Sequence, residues 1–337
     1  MPPMSNGKKP KARLKWGLIG GSLGIALVSL GGMGCGSQAP PDPQITPAAN
    51  PEANSLATVD PLSYENITLT QAAPDGRLQW KITATLAQYV PERTTAALTT
   101  VSGEFYDSAG DPIRIMASAG KVQVEERQVT LVGSIQGEYP RQGLLLKAQE
   151  LRWIPDRHQL IASDQVYIRF QDPENAQRQA EVAGSQLVWD TQDHLLTLSQ
   201  PDQPLRLVST DPALSLTANQ IQWNLPSETI QAQGAVTLLA ETTPPTRQTV
   251  TLRGSTLTLT PKQASFTGDA YARGPEGEEL WSQVLRWPLG GTVVYASGGV
   301  RYQQSGQALN VRGREAVVNW QTQTARISGS TITTQSF

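Results

Sequence analysis

Two histidines, His158 and His194, each stand five residues after a tryptophan, Trp153 and Trp189, in matching turn segments. Imidazoles repeated at equivalent positions raise the question of a metal site. A metal needs three or four converging ligands, and no second ligand type recurs beside both histidines. Asp156, Asp190 and Asp193 lie in the same turns, where aspartate serves the backbone. The acids of "GPEGEE" (274–279) read as a solvated turn. The chain has no G-x-S-x-G elbow, no glycine-rich phosphate loop and no cluster of thiols. The expectation is a protein that is not an enzyme, with no metal and no cofactor.

One thiol remains, Cys35, in "SLGGMGCGSQAPPDP" (29–43). A single cysteine can form no intrachain disulfide. It sits where an apolar, glycine-rich run, Trp16 to Gly34, meets a proline-rich one. All five cations of the first 34 residues (Lys8, Lys9, Lys11, Arg13, Lys15) precede that run, with no acid among them. This is an export signal, and it has two readings. Either a lipoprotein peptidase cuts before Cys35, whose thiol is acylated, or the run stays as an uncut anchor barely long enough for a bilayer. Gly34 fits the first reading, while Leu30 lies two residues early for a regular lipobox. The mass of the mature N terminus separates the two. Both place the rest of the chain on the far side of the inner membrane.

The 337 residues divide into a signal or anchor (1–35), a Pro-, Ala- and Ser-rich tether (36–60) and a β-rich body. Taking those five cations from 27 leaves 22 Lys and Arg against 29 Asp and Glu. A mildly acidic body without a basic stripe argues against nucleic acid.

The body shows almost no helical period. It repeats instead: "KAQELRWIPDRHQLIA" (147–162), "AGSQLVWDTQDHLLTL" (183–198) and "TANQIQWNLPSETIQA" (217–232) share one frame. Val124, Trp153, Trp189, Trp223, Leu259, Trp287 and Trp320 anchor seven such units, 28 to 36 residues apart. Two before each anchor is aliphatic (Val122, Leu151, Leu187, Ile221, Leu257, Leu285, Val318), and seven after is apolar (Leu131, Leu160, Leu196, Ile230, Phe266, Val294, Ile327). In "LLLKAQELRW", Leu144, Leu146 and Ala148 share one parity, and Leu151 and Trp153 the other. A strand that slipped parity would turn its apolar face outward unless a bulge inserts one residue. The pattern therefore predicts a bulge or bend about three residues before each anchor. The fold class expected is all-β: bent antiparallel hairpins stacked into a V-shaped, jelly-roll-like trough. It would hold one module over 61–210 and a continuing one over 211–337. The interior set is Val122, Leu131, Leu151, Trp153, Leu160, Leu187, Trp189, Leu196, Ile221, Trp223 and Ile230. An ordinary packed core satisfies the same pattern.

The stretch 67–139 carries "WKITA" (80–84), a Y-x-P step at Tyr89 to Pro91, and "VSGEFYDSAGDP" (101–112) turning into "ASAGKVQVEERQVTLVGSI" (117–135). These features, and the order of basic start, anchor, tether and β-structure, resemble the LptC family of lipopolysaccharide-export proteins. The later hairpins look like the same family or its soluble relative LptA. The greater length and the lipobox resemble a cyanobacterial branch. The resemblance implies a β-jelly-roll whose apolar interior holds lipopolysaccharide acyl chains at the periplasmic face of the inner membrane. It implies an ABC transporter of the LptBFG kind as one partner and an LptA-like bridge protein as another, joined by strand addition. The C-terminal edge, Ile327, Ser328, Gly329, Ser330, Thr331 and Ile332, is Thr- and Ser-rich and lacks proline. It is the candidate docking strand; a frayed terminal strand is the plain alternative.

Two other classes stay in view. A structural or adhesive β-repeat lipoprotein would have a filled core and no lipid affinity. A β-helix enzyme acting on polysaccharide would show coils of about 20–25 residues with clustered carboxylates, and neither feature is present.

Overall fold

The computed structural model describes residues 62–90, 94–242, 248–304, 309–329 and 331–334. All of them fall in one compact unit, Ala57–Phe337. The anchor run, Cys35 and the tether lie outside the described residues.

Among the described residues twenty strands form a single antiparallel sheet. The first eight are β1 (Leu62–Ala72), β2 (Leu78–Val90), β3 (Thr95–Tyr106), β4 (Pro112–Gln123), β5 (Gln128–Tyr139), β6 (Leu144–Ile154), β7 (Gln159–Gln171) and β8 (Gln179–Asp190). Next come β9 (Leu195–Ser199), β10 (Leu205–Thr210), β11 (Ala213–Ala218) and β12 (Gln220–Asn224). They are two long strands each broken at its bend: β9 and β10 both pair with β8, and β11 and β12 both pair with β13 (Thr229–Glu241). The series continues through β14 (Thr249–Leu259), β15 (Gln263–Arg273), β16 (Glu279–Pro288), β17 (Val293–Gln303) and β18 (Leu309–Asn319). β19 (Thr324–Ser328) and β20 (Thr331–Thr334) together pair with β18 and close the series. With broken strands counted once, each strand pairs with its sequence neighbours, so the ladder is a simple meander. It runs without interruption across residues 210–213, where β10 and β11 pair along their whole length.

The bend has a defined chemistry. In β5, β7, β13, β15 and β17 two consecutive residues take the left-handed conformation: Gly133–Ser134, Asp164–Gln165, Gly234–Ala235, Gly268–Asp269 and Gly298–Gly299. Glycine is free there and Asp tolerates it. One residue faces each pair on the next strand, such as Gln149 or Ser185. That two-against-one count is a bulge. It restores parity as the sequence pattern required, and Leu144, Leu146, Ala148, Leu151 and Trp153 are all buried. Its position differs from the expectation of three residues before the anchor. The break on the anchor strands falls four or five residues before Trp153, Trp189, Leu259 and Trp287, and the left-handed pair belongs to the partner strand.

The bend divides each long strand into two arms, and the inner faces of the two arms pack on each other. Phe105 of β3 meets Trp153 of β6 at 5.4 Å, Tyr139 of β5 meets Trp189 of β8 at 5.4 Å, and Phe170 of β7 meets Trp223 of β12 at 5.3 Å. With broken strands counted once, each contact joins a strand to the third one beyond it. Three strand spacings are about 14 Å, so the opposing arms are staggered and the sheet wraps as a twisted jelly roll.

Candidate functional site

The inner face is built from cross-strand rows. One row crosses the whole sheet, from Tyr64 on β1 through Leu131, Leu151, Leu187, Ile221, Leu257 and Leu285 to Ile327 on β19. A parallel row holds Val122, Trp153, Leu160, Trp189, Leu196, Trp223, Ile230 and Leu259. Every interior candidate therefore lies on the inner face, in one of two adjacent rows. All eleven are buried, from 0% exposed at Leu131 to 7% at Ile230. All belong to one hydrophobic cluster, and Trp153, Trp189 and Trp223 meet the facing arm, so the interior is filled by side chains.

The rows emerge at the ends of the sheet. Leu62 and Tyr64, inward-facing on the first strand, are 50% and 41% exposed, because the stagger leaves no earlier arm opposite them. At the far end Ile327 is half-buried, and Ser328 and Gly329 are exposed. Gly329 has φ +64 and divides the last strand into β19 and β20. Thr331 and Ile332 are in β20, paired with Arg312 and Val311; Ser330 lies outside the described residues.

The interior contains unsatisfied donors. The indole N–H groups of Trp153, Trp189 and Trp320 are buried and have no acceptor among the described residues. Trp287 donates to the Gly291 carbonyl at 2.8 Å and Trp80 to Gln71 at 2.9 Å. A buried polar group without a partner needs an explanation.

The two histidines do not form a site together. Each ends a tight turn with φ +52, like Arg127, Glu228 and Gln323 in the equivalent turns. Histidine is among the residues enriched in that conformation. Their carbonyls link successive turns: His158 accepts from Thr191 N–H at 2.8 Å and His194 from Leu225 N–H at 3.1 Å. This turn geometry accounts for their matching positions.

Two polar clusters lie where the turns of opposite arms meet along the seam. In the first, buried Asp107 accepts from the Tyr139 hydroxyl at 2.6 Å and from the N–H groups of Ala109 and Asp111 at 2.9 and 2.8 Å. His194 Nε2 lies 4.0 Å from Asp107, and its ring stacks on Tyr139. In the second, Arg178 donates to Asp172 at 2.8 Å and to Glu228 at 2.6 Å, tying the β7–β8 turn to the β12–β13 turn. The bond to Glu228 holds the Arg178 guanidinium above its ordinary value. The backbone N–H of Glu174, and then Arg178, lower Asp172.

The first cluster gives a pH prediction. Burial, and then the bond to Asp107, push the Tyr139 phenol well above the ordinary tyrosine range. A raised value means the folded state holds the proton more tightly, so the stabilisation is complete below the unfolded value, about pH 10. It is lost as pH rises beyond that. Tyr139→Phe is expected to cost about 1.5–3 kcal/mol at neutral pH, the worth of a hydrogen bond to a charged group. It also flattens the alkaline fall in stability, as urea unfolding between pH 7 and 11 would record. An equally steep fall in the variant would contradict this role.

Sequence reasoning missed Phe105, Tyr139 and Phe170, and both seam clusters. The three aromatics occupy the last inward positions of β3, β5 and β7, which is a readable signal. Their partners depend on a three-strand stagger that no local pattern encodes.

Among the described residues no helix is long and apolar enough to cross a membrane. The sequence profile described as lipopolysaccharide-assembly, LptC-related matches residues 24–200. No curated protein matches the chain.

Proposed function

The chain belongs to the LptC-related family of lipopolysaccharide-assembly proteins, and from that membership we propose that it carries lipopolysaccharide acyl chains along its inner face between two membranes. The observation that carries this reading is the apolar row that crosses the entire sheet and emerges at Tyr64 on one edge and Ile327 on the other. One apolar path thus spans both expected segments, 61–210 and 211–337. Shielding an acyl chain from water is worth about 0.8 kcal/mol per CH₂, and a uniform path lets the chain slide.

The interior is filled, so the arms must part to admit lipid. The left-handed bulges are natural hinges, and the seam clusters are the contacts to be broken. The unpaired indole donors of Trp153, Trp189 and Trp320 would then meet the ester or amide carbonyls of the lipid. The chain is held at the periplasmic face of the inner membrane by lipidated Cys35 or by an uncut helix. It receives lipid from an ABC transporter of the LptBFG kind. It passes lipid to an LptA-like bridge protein that adds a strand at β19 and β20. A test is to mix the purified chain with lipopolysaccharide or with its deacylated saccharide. Co-migration on gel filtration is expected only with the acylated form; none with either would overturn the reading.

A second reading, a structural β-repeat lipoprotein, is favoured by one observation: all eleven interior candidates are at most 7% exposed. It predicts the same fold with no lipid uptake.

A further inference from the structure

The seam between the arms is not uniform. The hairpin β7–β8 is joined by residues 172–178, while β10 and β11, next to it in the sheet, are joined by Asp211 and Pro212 alone. Over this short turn lies a cleft of about 820 Å³ lined by Arg178, Asp211, Pro212, Glu228 and Glu241. That is the size of a small-molecule site, roughly 300–1,000 Å³. Beneath it a smaller cavity of about 80 Å³ reaches the inner face at Leu207, Leu214, Trp223, Ile230 and Leu259. Arg178, Asp211, Pro212 and Glu228 line both, so the cleft and the cavity adjoin. Ala180, Leu214 and Ile230 are each 7% exposed, against 0% for Leu160, Leu196 and Leu238 on neighbouring strands.

Arg178 spans this opening from one arm to the other, held by Asp172 and Glu228. Those two carboxylates neutralise it, and Asp211 and Glu241 add further negative charge to the rim. An anionic head group is repelled at such a rim, whereas a hydroxyl-bearing neutral one finds acceptors there.

We propose that this opening is a lateral port through which the alkyl chain of an amphiphile with an uncharged, hydroxyl-rich head reaches the interior, and that Arg178 is its latch. The port rests on the lipid-carrying reading above, and it adds a side route to the two open ends of the sheet.

The test uses the full chain and two photoreactive probes: a maltoside with a diazirine at the end of its alkyl chain, and the alkyl phosphate of the same length. Adducts are mapped by mass spectrometry. Labelling is expected at Leu207, Leu214 and Trp223, at least tenfold stronger with the maltoside than with the phosphate. Arg178→Gln should raise it several-fold. An Arg178→Cys, Glu228→Cys pair in a Cys35→Ser background should abolish it when the two thiols are joined by a bismaleimide crosslinker that spans the original ion pair. Labelling at Leu151 and Leu187 without labelling at the port means that chains enter from the ends; this overturns the port and leaves the lipid-carrying reading standing. No interior labelling at all overturns both. Equal labelling by the two probes overturns the head-group preference, and labelling indifferent to Arg178→Gln and to the crosslinked pair overturns the latch.

Discussion

Trp189→Ala should lower stability by about 3–5 kcal/mol, the usual cost of emptying a buried tryptophan site. Trp189 is 1% exposed and lies near the middle of its row, between Leu160 and Leu196 on the flanking strands. Across the interior it meets Tyr139 at 5.4 Å. The substitution therefore removes contacts within one arm and between arms together, and neighbouring strands locked in register cannot collapse into the space. Trp189→Phe should be far milder. It keeps a ring in the site and deletes an indole N–H that has no acceptor among the described residues, and an unmet donor itself costs about 1–3 kcal/mol. Trp281, half-buried on the outer face with Arg301 4.6 Å over its ring, is the control; its alanine variant should lose about 1 kcal/mol. Urea unfolding measures all three. A loss at Trp189 no larger than at Trp281 would mean that the arms do not pack on each other.

Gly313→Val should detach the last strand and weaken strand addition at the C-terminal edge by tenfold or more. Gly313 lies at the bend of β18, opposite the break between β19 and β20. A Cβ there would stand 2.8 Å from the Ser328 carbonyl oxygen and closer still to the Ile327 side chain. Backbone cannot yield as a flexible side chain can, so β19 must move off the sheet. The long strands before it keep their own pairings, and circular dichroism should show nearly unchanged β-structure. Binding of an LptA-like partner, followed by biolayer interferometry, should fall by at least the 1.4 kcal/mol that a tenfold loss represents. Unchanged affinity would place the partner elsewhere, with the exposed strand β1 as the alternative edge.

Much of this fold is written in the alternation of side chains. The slip of parity in "LLLKAQELRW" required a bulge, and the face on which each residue lies follows from it. The frame itself was misplaced in three units, and harmlessly. Val122 and Val318, not Val124 and Trp320, occupy the anchor row, and Leu259 pairs with Ala264 instead of Phe266. Each error is two residues, which preserves the face because strands alternate with period two. What the pattern could not carry is contact between arms. The meeting of Asp107 with His194, 87 residues on, or of Arg178 with Glu228, depends on how far the sheet twists over three strands. Twist accumulates from every residue and leaves no local mark.

The central claim is that lipid travels within the packed interior. A photo-crosslinking amino acid at Ile221, 0% exposed in the middle of the full-length row, tests it directly in the native cell. Gln222, half-buried on the opposite face of the same strand, is the control. Lipopolysaccharide adducts at Ile221 and none at Gln222 are the expected result, since the arms must open around the lipid for that side chain to be reached. No adduct at Ile221, nor at Leu151 or Leu187 in the same row, would contradict the account and leave a sealed structural core.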